Sequence, residues 1–146
     1  MTTAADPMER MLIEWECARL VNTYNLLNDA GRFEEAADLF AEGGSYLTPA
    51  TPEPVVGRQA ILEMLRQRPM PTARHFVTNL VIDVVSPTEA RGHSYLLVLL
   101  SNDPEPVTAV ASMPLLTGEI EEHFLLTPEG WRLGHRRGKA GIRLAS

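Results

Sequence analysis

The chain has 146 residues, the length of one ordinary domain and enough to bury a core without disulfides or a metal staple. At 45% hydrophobic and 22% charged residues it has globular composition, and no apolar run approaches the ~20 residues needed to span a bilayer. A net charge of -6 opposes nucleic-acid binding, which needs a basic face to release counterions.

The amino terminus, MTTAADPMERM, carries acidic residues and no apolar stretch of the secretory kind, so a cytoplasmic location is expected and residues 1–10 read as a flexible tail. Ile13, Cys17, Leu20, Val21, Tyr24 and Leu27 then recur at helical spacing, with Glu14, Glu16 and Arg19 between them. This predicts an amphipathic helix of about five turns. The single cysteine, Cys17, has no disulfide partner and no Cys/His cluster around it, so it reads as a buried helix residue. The helix ends in NDAG, where Gly31 can adopt a left-handed cap, and RFEEAADLF forms a second, short helix with Phe33, Ala36, Ala37 and Phe40 on one side.

Residues 43–48 predict a short strand, and TPATPEPVVG a proline-rich loop without regular structure, placed to cover a cavity mouth. GRQAILEMLRQR gives a third helix with Ile61, Leu62 and Leu65 inward, stopped by PMP at 69–71. Four long strands follow, RHFVTNLVIDVV, ARGHSYLLVLL, VTAVASMPLLTGEIEEHFLL and WRLGHRR, joined by turns at SPTE, NDPEP and TPEG. LLVLL at 96–100 is apolar at both parities and reads as buried on both faces, with helices on one side and a partner subunit on the other. Residues 139–146 read as a second tail, and HRRGK at 135–139 as a solvated strand end or an anion contact. The fold class is therefore α+β, a single domain in which three N-terminal helices back a curved antiparallel sheet and enclose a conical pocket.

These segments resemble the SnoaL-like branch of the nuclear transport factor 2-like superfamily. The resemblance is carried by NDAGRFEEAADLF, VVGRQAI, RHFVTNLVIDV, GEIEEHF and EGWRLGHRR, and runs from Met11 to about Arg137. The superfold hosts dehydratases, isomerases, polyketide cyclases, dioxygenase small subunits and non-catalytic binders. Its lyase members, scytalone dehydratase and hexachlorocyclohexane dehydrochlorinase, pair a histidine at the start of a strand with an aspartate after the first helix. The resemblance places those roles on His75 and Asp29, and the dehydrochlorinase's last-strand arginine on Arg136. Where scytalone dehydratase has a second histidine this chain has Leu100. Its first-strand tyrosine, and the aspartate base of ketosteroid isomerases, fall near Thr48.

A His-Asp pair suits proton abstraction next to a carbonyl or a leaving group. Imidazole titrates near neutral pH, and a carboxylate on its far nitrogen fixes the tautomer and stabilises the imidazolium. His75 is then the base, Asp29 its orienter, and Arg136 a holder for a developing oxyanion or departing anion. The structural alternatives are a strand histidine bonded to backbone, an Asp29 bonded to its own turn, and a solvated Arg136 beside Arg137. Strict alternation adds that if Arg136 faces the cavity, Trp131, Leu133 and His135 face away unless a bulge intervenes, which makes His135 a substitute candidate.

Around these groups, Tyr24, Tyr46, Leu100 and Ile120 are expected to line the pocket. Asn79, on the face of His75, Val77 and Val81, is placed to bond a substrate oxygen, and Glu122 to project inward as a second acid. His93 and His123 show no partner pattern. Without HxH or HxxxH spacing no metal is expected, and no cofactor is required.

The expected function is a cofactor-free lyase or cyclase acting by elimination or enolisation on a small apolar or aromatic ligand. It is set against a binding module for a hydrophobic metabolite and an accessory subunit like those of ring-hydroxylating dioxygenases. A homo-oligomer, dimer or trimer, is expected across the sheet face.

Overall fold

The structure, a computed structural model, describes residues 6–69, 71–105 and 107–143. Helix α1 spans Pro7–Asp29, its first position taken by a proline whose missing N–H is no loss there. The expected tail before residue 11 is therefore helical from Pro7, while residues 1–5 lie outside the described residues. One face of α1 buries Ile13, Cys17, Leu20, Val21, Tyr24, Asn25 and Asn28, the i, i+4, i+7 pattern that the sequence carries. The helix closes as expected: Gly31 takes φ +72°, and the amides of Gly31 and Arg32 bond the carbonyls of Asn28 and Leu27.

Helix α2, Phe33–Asp38, is one and a half turns and buries Ala36 and Ala37. Phe40 does not belong to it but opens strand β1, Phe40–Leu47. The proline-rich loop is not wholly irregular. Once the last proline is passed, Val55–Val56 form a two-residue strand, β2, paired with Tyr46 and Ser45. Helix α3, Arg58–Arg66, buries Ile61 and Leu65 and packs Leu62 against the core.

Strands β3 (Thr72–Ser86), β4 (Glu89–Ser101), β5 (Ser112–Thr127) and β6 (Gly130–Arg143) form the expected antiparallel meander. β6 reaches Arg143, so residues 139–143 are strand rather than tail, and residues 144–146 lie outside the described residues. The sheet order is β2-β1-β6-β5-β4-β3, and β1 runs parallel to β6. The sheet is therefore mixed, not antiparallel throughout. Parallel pairing requires a long crossover, here everything from β2 to β5.

Register breaks between Thr78 and Val81, Val98 and Leu100, and His123 and Phe124 interrupt the pairings, and such bulges bend and twist a sheet. The helices cover one face. Tyr24, Phe40, Ile61, Phe124, Leu133 and Arg136 fill the space between, each under 2% exposed. Leu96, Leu97, Val98, Leu99 and Leu100 are half-buried rather than buried on both faces, because their outward-facing members have no second layer over them. No described helix is long and apolar enough to cross a membrane.

Candidate active site

Asp29 is the last residue of α1, and His75 lies on the helix-facing side of β3. Arg68, just beyond α3, ties the two elements together by donating to the carbonyls of Asn28 and Pro71, both at 2.9 Å. His75 Nδ1 lies 2.5 Å from Asp29 Oδ1, and the His75 amide donates to Asp29 Oδ2 at 2.9 Å. Both carboxylate oxygens are thus engaged by one residue, which fixes the ring's place along the strand and its rotation.

The side chains are 14% and 10% exposed, so their interaction is only weakly screened by solvent. With Nδ1 donating to the carboxylate, Nε2 holds the lone pair of the neutral ring. Nε2 makes no hydrogen bond to the described residues and is not sealed off from solvent. The arrangement can accept a proton at Nε2 and stabilise the resulting imidazolium through Asp29.

A second polar cluster lies deeper. Gly134 forms a bulge in β6, so that Leu133 pairs with Phe124 and His135 with His123. A Cβ at Gly134 would meet Leu125 Cδ1 at 2.8 Å, which suits glycine to this position. The bulge lets Leu133 and Arg136 both face inward, against strict alternation. Arg136 Nη1 pairs with Glu122 Oε1, with the two side chains 1% and 0% exposed. The Arg136 guanidinium also lies over the Tyr24 ring, 4.5 Å from its centroid, and 5.5 Å from that of Tyr46. Burial works against its charge, and Tyr46, Glu122 and Tyr24 outweigh that and hold it above the ordinary guanidinium range. Burial pushes the Glu122 carboxyl up while Arg136 pulls it down.

Arg136 faces the interior, with its charge paired to Glu122 and its Nε buried without a hydrogen-bond partner among the described residues. Glu122 likewise lies inside, paired with Arg136. Tyr24 is 1% exposed, and burial, then Tyr46, raises its pKa well above the phenol range. Tyr46 stacks on Phe40 with ring centroids 6.0 Å apart, and Ile120 is buried on the same inner face.

Other expectations fall differently. Asn79 is exposed at the β3 bulge with φ +56°, a left-handed conformation that asparagine tolerates, and Leu80 turns inward in place of Val81. Leu100 is half-buried beside Ala73 and lines a small cleft of about 120 Å³ with Leu99 and Arg74, apart from the His75 ring. His135 bonds Ser45 Oγ at 2.6 Å across the β1–β6 pair. His93 and His123, which showed no pattern in sequence, face carboxylates on neighbouring strands. Glu119 lies 3.6 Å from His93 and Glu89 2.6 Å from His123. Only the strand register reveals those pairs.

Sequence reasoning also missed Arg68 and the buried hydroxyl of Ser94, which has no hydrogen-bond partner among the described residues. Among the described residues no group of three or more His, Cys, Asp or Glu is placed to hold a metal. Cys17 is fully buried, and burial, then Glu16 and Glu122, push its thiol up to about 12.

The α+β sheet and its helices define a nuclear transport factor 2-like fold. The chain belongs to the SnoaL-like domain family, with residues 9–137 matching it. Among solved structures, it is similar to a scytalone dehydratase-like protein of Novosphingobium aromaticivorans at 20% identity and TM-score 0.78, over 95% of this chain and 91% of that one. It is also similar to hexachlorocyclohexane dehydrochlorinase type 3 of Novosphingobium barchaimii at 13% identity and TM-score 0.80, covering 95% and 93%. A third is a Catenulispora acidiphila protein in complex with S-DNPA, at 24% identity and TM-score 0.69, covering 86% and 90%. No curated protein matches the chain.

Proposed function

We propose that the protein is a cofactor-independent lyase or cyclase of the SnoaL-like family, acting on a small, largely apolar substrate. The observation that carries this reading is the Asp29–His75 contact at 2.5 Å, with Nε2 left without a hydrogen-bond partner among the described residues. In the proposed step, Nε2 takes a proton from a carbon next to a carbonyl or a leaving group. The C–H electrons form either an enolate or a double bond, and in the second case the leaving group departs with its own bonding pair. Asp29 holds the imidazolium, and no metal is needed. Lyases among the structural neighbours support the class of reaction and not a particular substrate.

The test is deuterium wash-in from heavy water at the acidic C–H of small ketones and β-substituted carbonyl compounds. Exchange by the wild type should fall roughly 10²–10⁴-fold in His75→Gln. Exchange equal in the two proteins would overturn the reading.

The alternative is a binding module, in which an apolar ligand is held beside His75 without turnover; the interior itself is filled by Tyr24, Phe40 and Arg136 and is not open as a cone. Saturable binding of an apolar ligand without exchange or turnover would select it. We further propose a homo-oligomer through the outer sheet face, supported by Phe76, Val81, Tyr95 and Ile142, each at least 46% exposed.

A further inference from the structure

Outside the His75 ring, the end of α1 and the start of β3 enclose an open cleft of about 490 Å³, lined in part by Asp29, Gly31, Arg68, Thr72 and Arg74. That is the size of a small-metabolite site. Its charges are unusual for a chain of net charge -6. Two guanidiniums line it, and the one carboxylate in its lining has both oxygens engaged, Oδ1 by the His75 ring and Oδ2 by the His75 amide.

Both arginines are oriented by carbonyls: Arg68 by Asn28 and Pro71, Arg74 by Ala73 at 2.7 Å. Arg74 has no carboxylate within ion-pair distance among the described residues. Burial holds Arg68 below the ordinary guanidinium range, with Asp29 raising it and the like charge of Arg74 lowering it further. On the loop at the cleft's edge, Asp103 turns its carboxylate away, to the Glu105 amide and the Thr108 hydroxyl, each at 2.9 Å. A guanidinium pair of this kind recognises oxyanions through directed donors as well as charge.

We propose that this cleft is an anion seat for a carboxylate or phosphate group held between Arg68 and Arg74, and that its occupancy is felt at His75 through Asp29. The seat itself requires no turnover; its consequence for catalysis rests on the lyase reading.

The test follows the His75 ring by ¹H–¹⁵N NMR at constant ionic strength while inorganic phosphate, phenylacetate or methyl phenylacetate is added. Saturable shifts of the His75 ring with the anions are expected, with at least tenfold weaker binding in Arg74→Gln and no change in Arg91→Gln, a distant exposed β4 arginine. Phenylacetate binding more tightly than phosphate would assign the seat to the acidic end of an organic ligand, and the reverse order to a free ion. Absence of saturation, an ester binding as tightly as its acid, or Arg74→Gln binding like wild type would overturn the proposal. Anion binding lost in Arg74→Gln, in a protein that exchanges no carbon acid, would uphold the seat while removing the lyase reading.

Discussion

Arg136 is 1% exposed and touches Glu122, Tyr24 and Tyr46, so its charge belongs to the interior and not to solvent. Breaking a buried pair from one side is costly because the other group is left behind. Arg136→Met should therefore destabilise the fold by about 3–5 kcal/mol near neutral pH, measured by urea unfolding. The sign of its pH dependence follows from Glu122, whose folded pKa lies above its unfolded value once burial acts without the arginine. A raised pKa means stability present below the unfolded value and lost as pH rises through the folded one, so the deficit should shrink in acid. Adding Glu122→Leu should recover most of it, and a deficit that grew in acid would contradict the pairing.

Cys17 gives a second residue-scale outcome. With its thiol pushed up to about 12 and no exposed surface, it should resist iodoacetamide at pH 8 in the native protein and react once unfolded. Fast native labelling would place it elsewhere. At this scale the sequence carried Cys17's burial through helical spacing, and the family resemblance singled out His75 and Asp29, whose side chains are in contact. The Glu122–Arg136 pair was not legible, since it needs the β5–β6 register and a bulge that no periodicity announces.

The bulges are where element-level reading broke down. Period-2 alternation put Asn79 and Val81 on the face of His75, but the break after Thr78 turns Leu80 inward and leaves both exposed. Asn79 sits at φ +56°, a conformation that costs a β-branched residue roughly 1–2 kcal/mol. Asn79→Val should lose about that much by thermal or urea unfolding while Asn79→Gly changes little. Equal losses in both would mean that the side chain, not the backbone, matters there. The closing of α1 at Gly31 was legible because glycine and the left-handed cap go together. The two-residue β2 was not, because two valines between a proline and a glycine carry no strand signal of their own.

For the whole molecule, the order of helices and the β3–β6 meander could be read from turns and apolar runs, but the parallel placement of β1 beside β6 could not. That pairing joins residues about ninety apart, such as Ser45 and His135, and leaves no local trace. Half-burial of Leu96–Leu100 and exposure of Phe76, Val81 and Tyr95 leave the outer face apolar. Sedimentation should find a dimer or trimer that Phe76→Lys shifts toward monomer without unfolding. A monomeric wild type at high concentration would refute an assembly across that face.

The proposal of a poised base stands or falls on which nitrogen of His75 holds the proton. The ¹⁵N spectrum of the His75 ring across pH 5–9 reads this directly. The expected result is a neutral form protonated at Nδ1 with Nε2 free, lost on Asp29→Asn. A neutral ring protonated at Nε2 throughout would leave no lone pair for the substrate and would contradict the proposed chemistry.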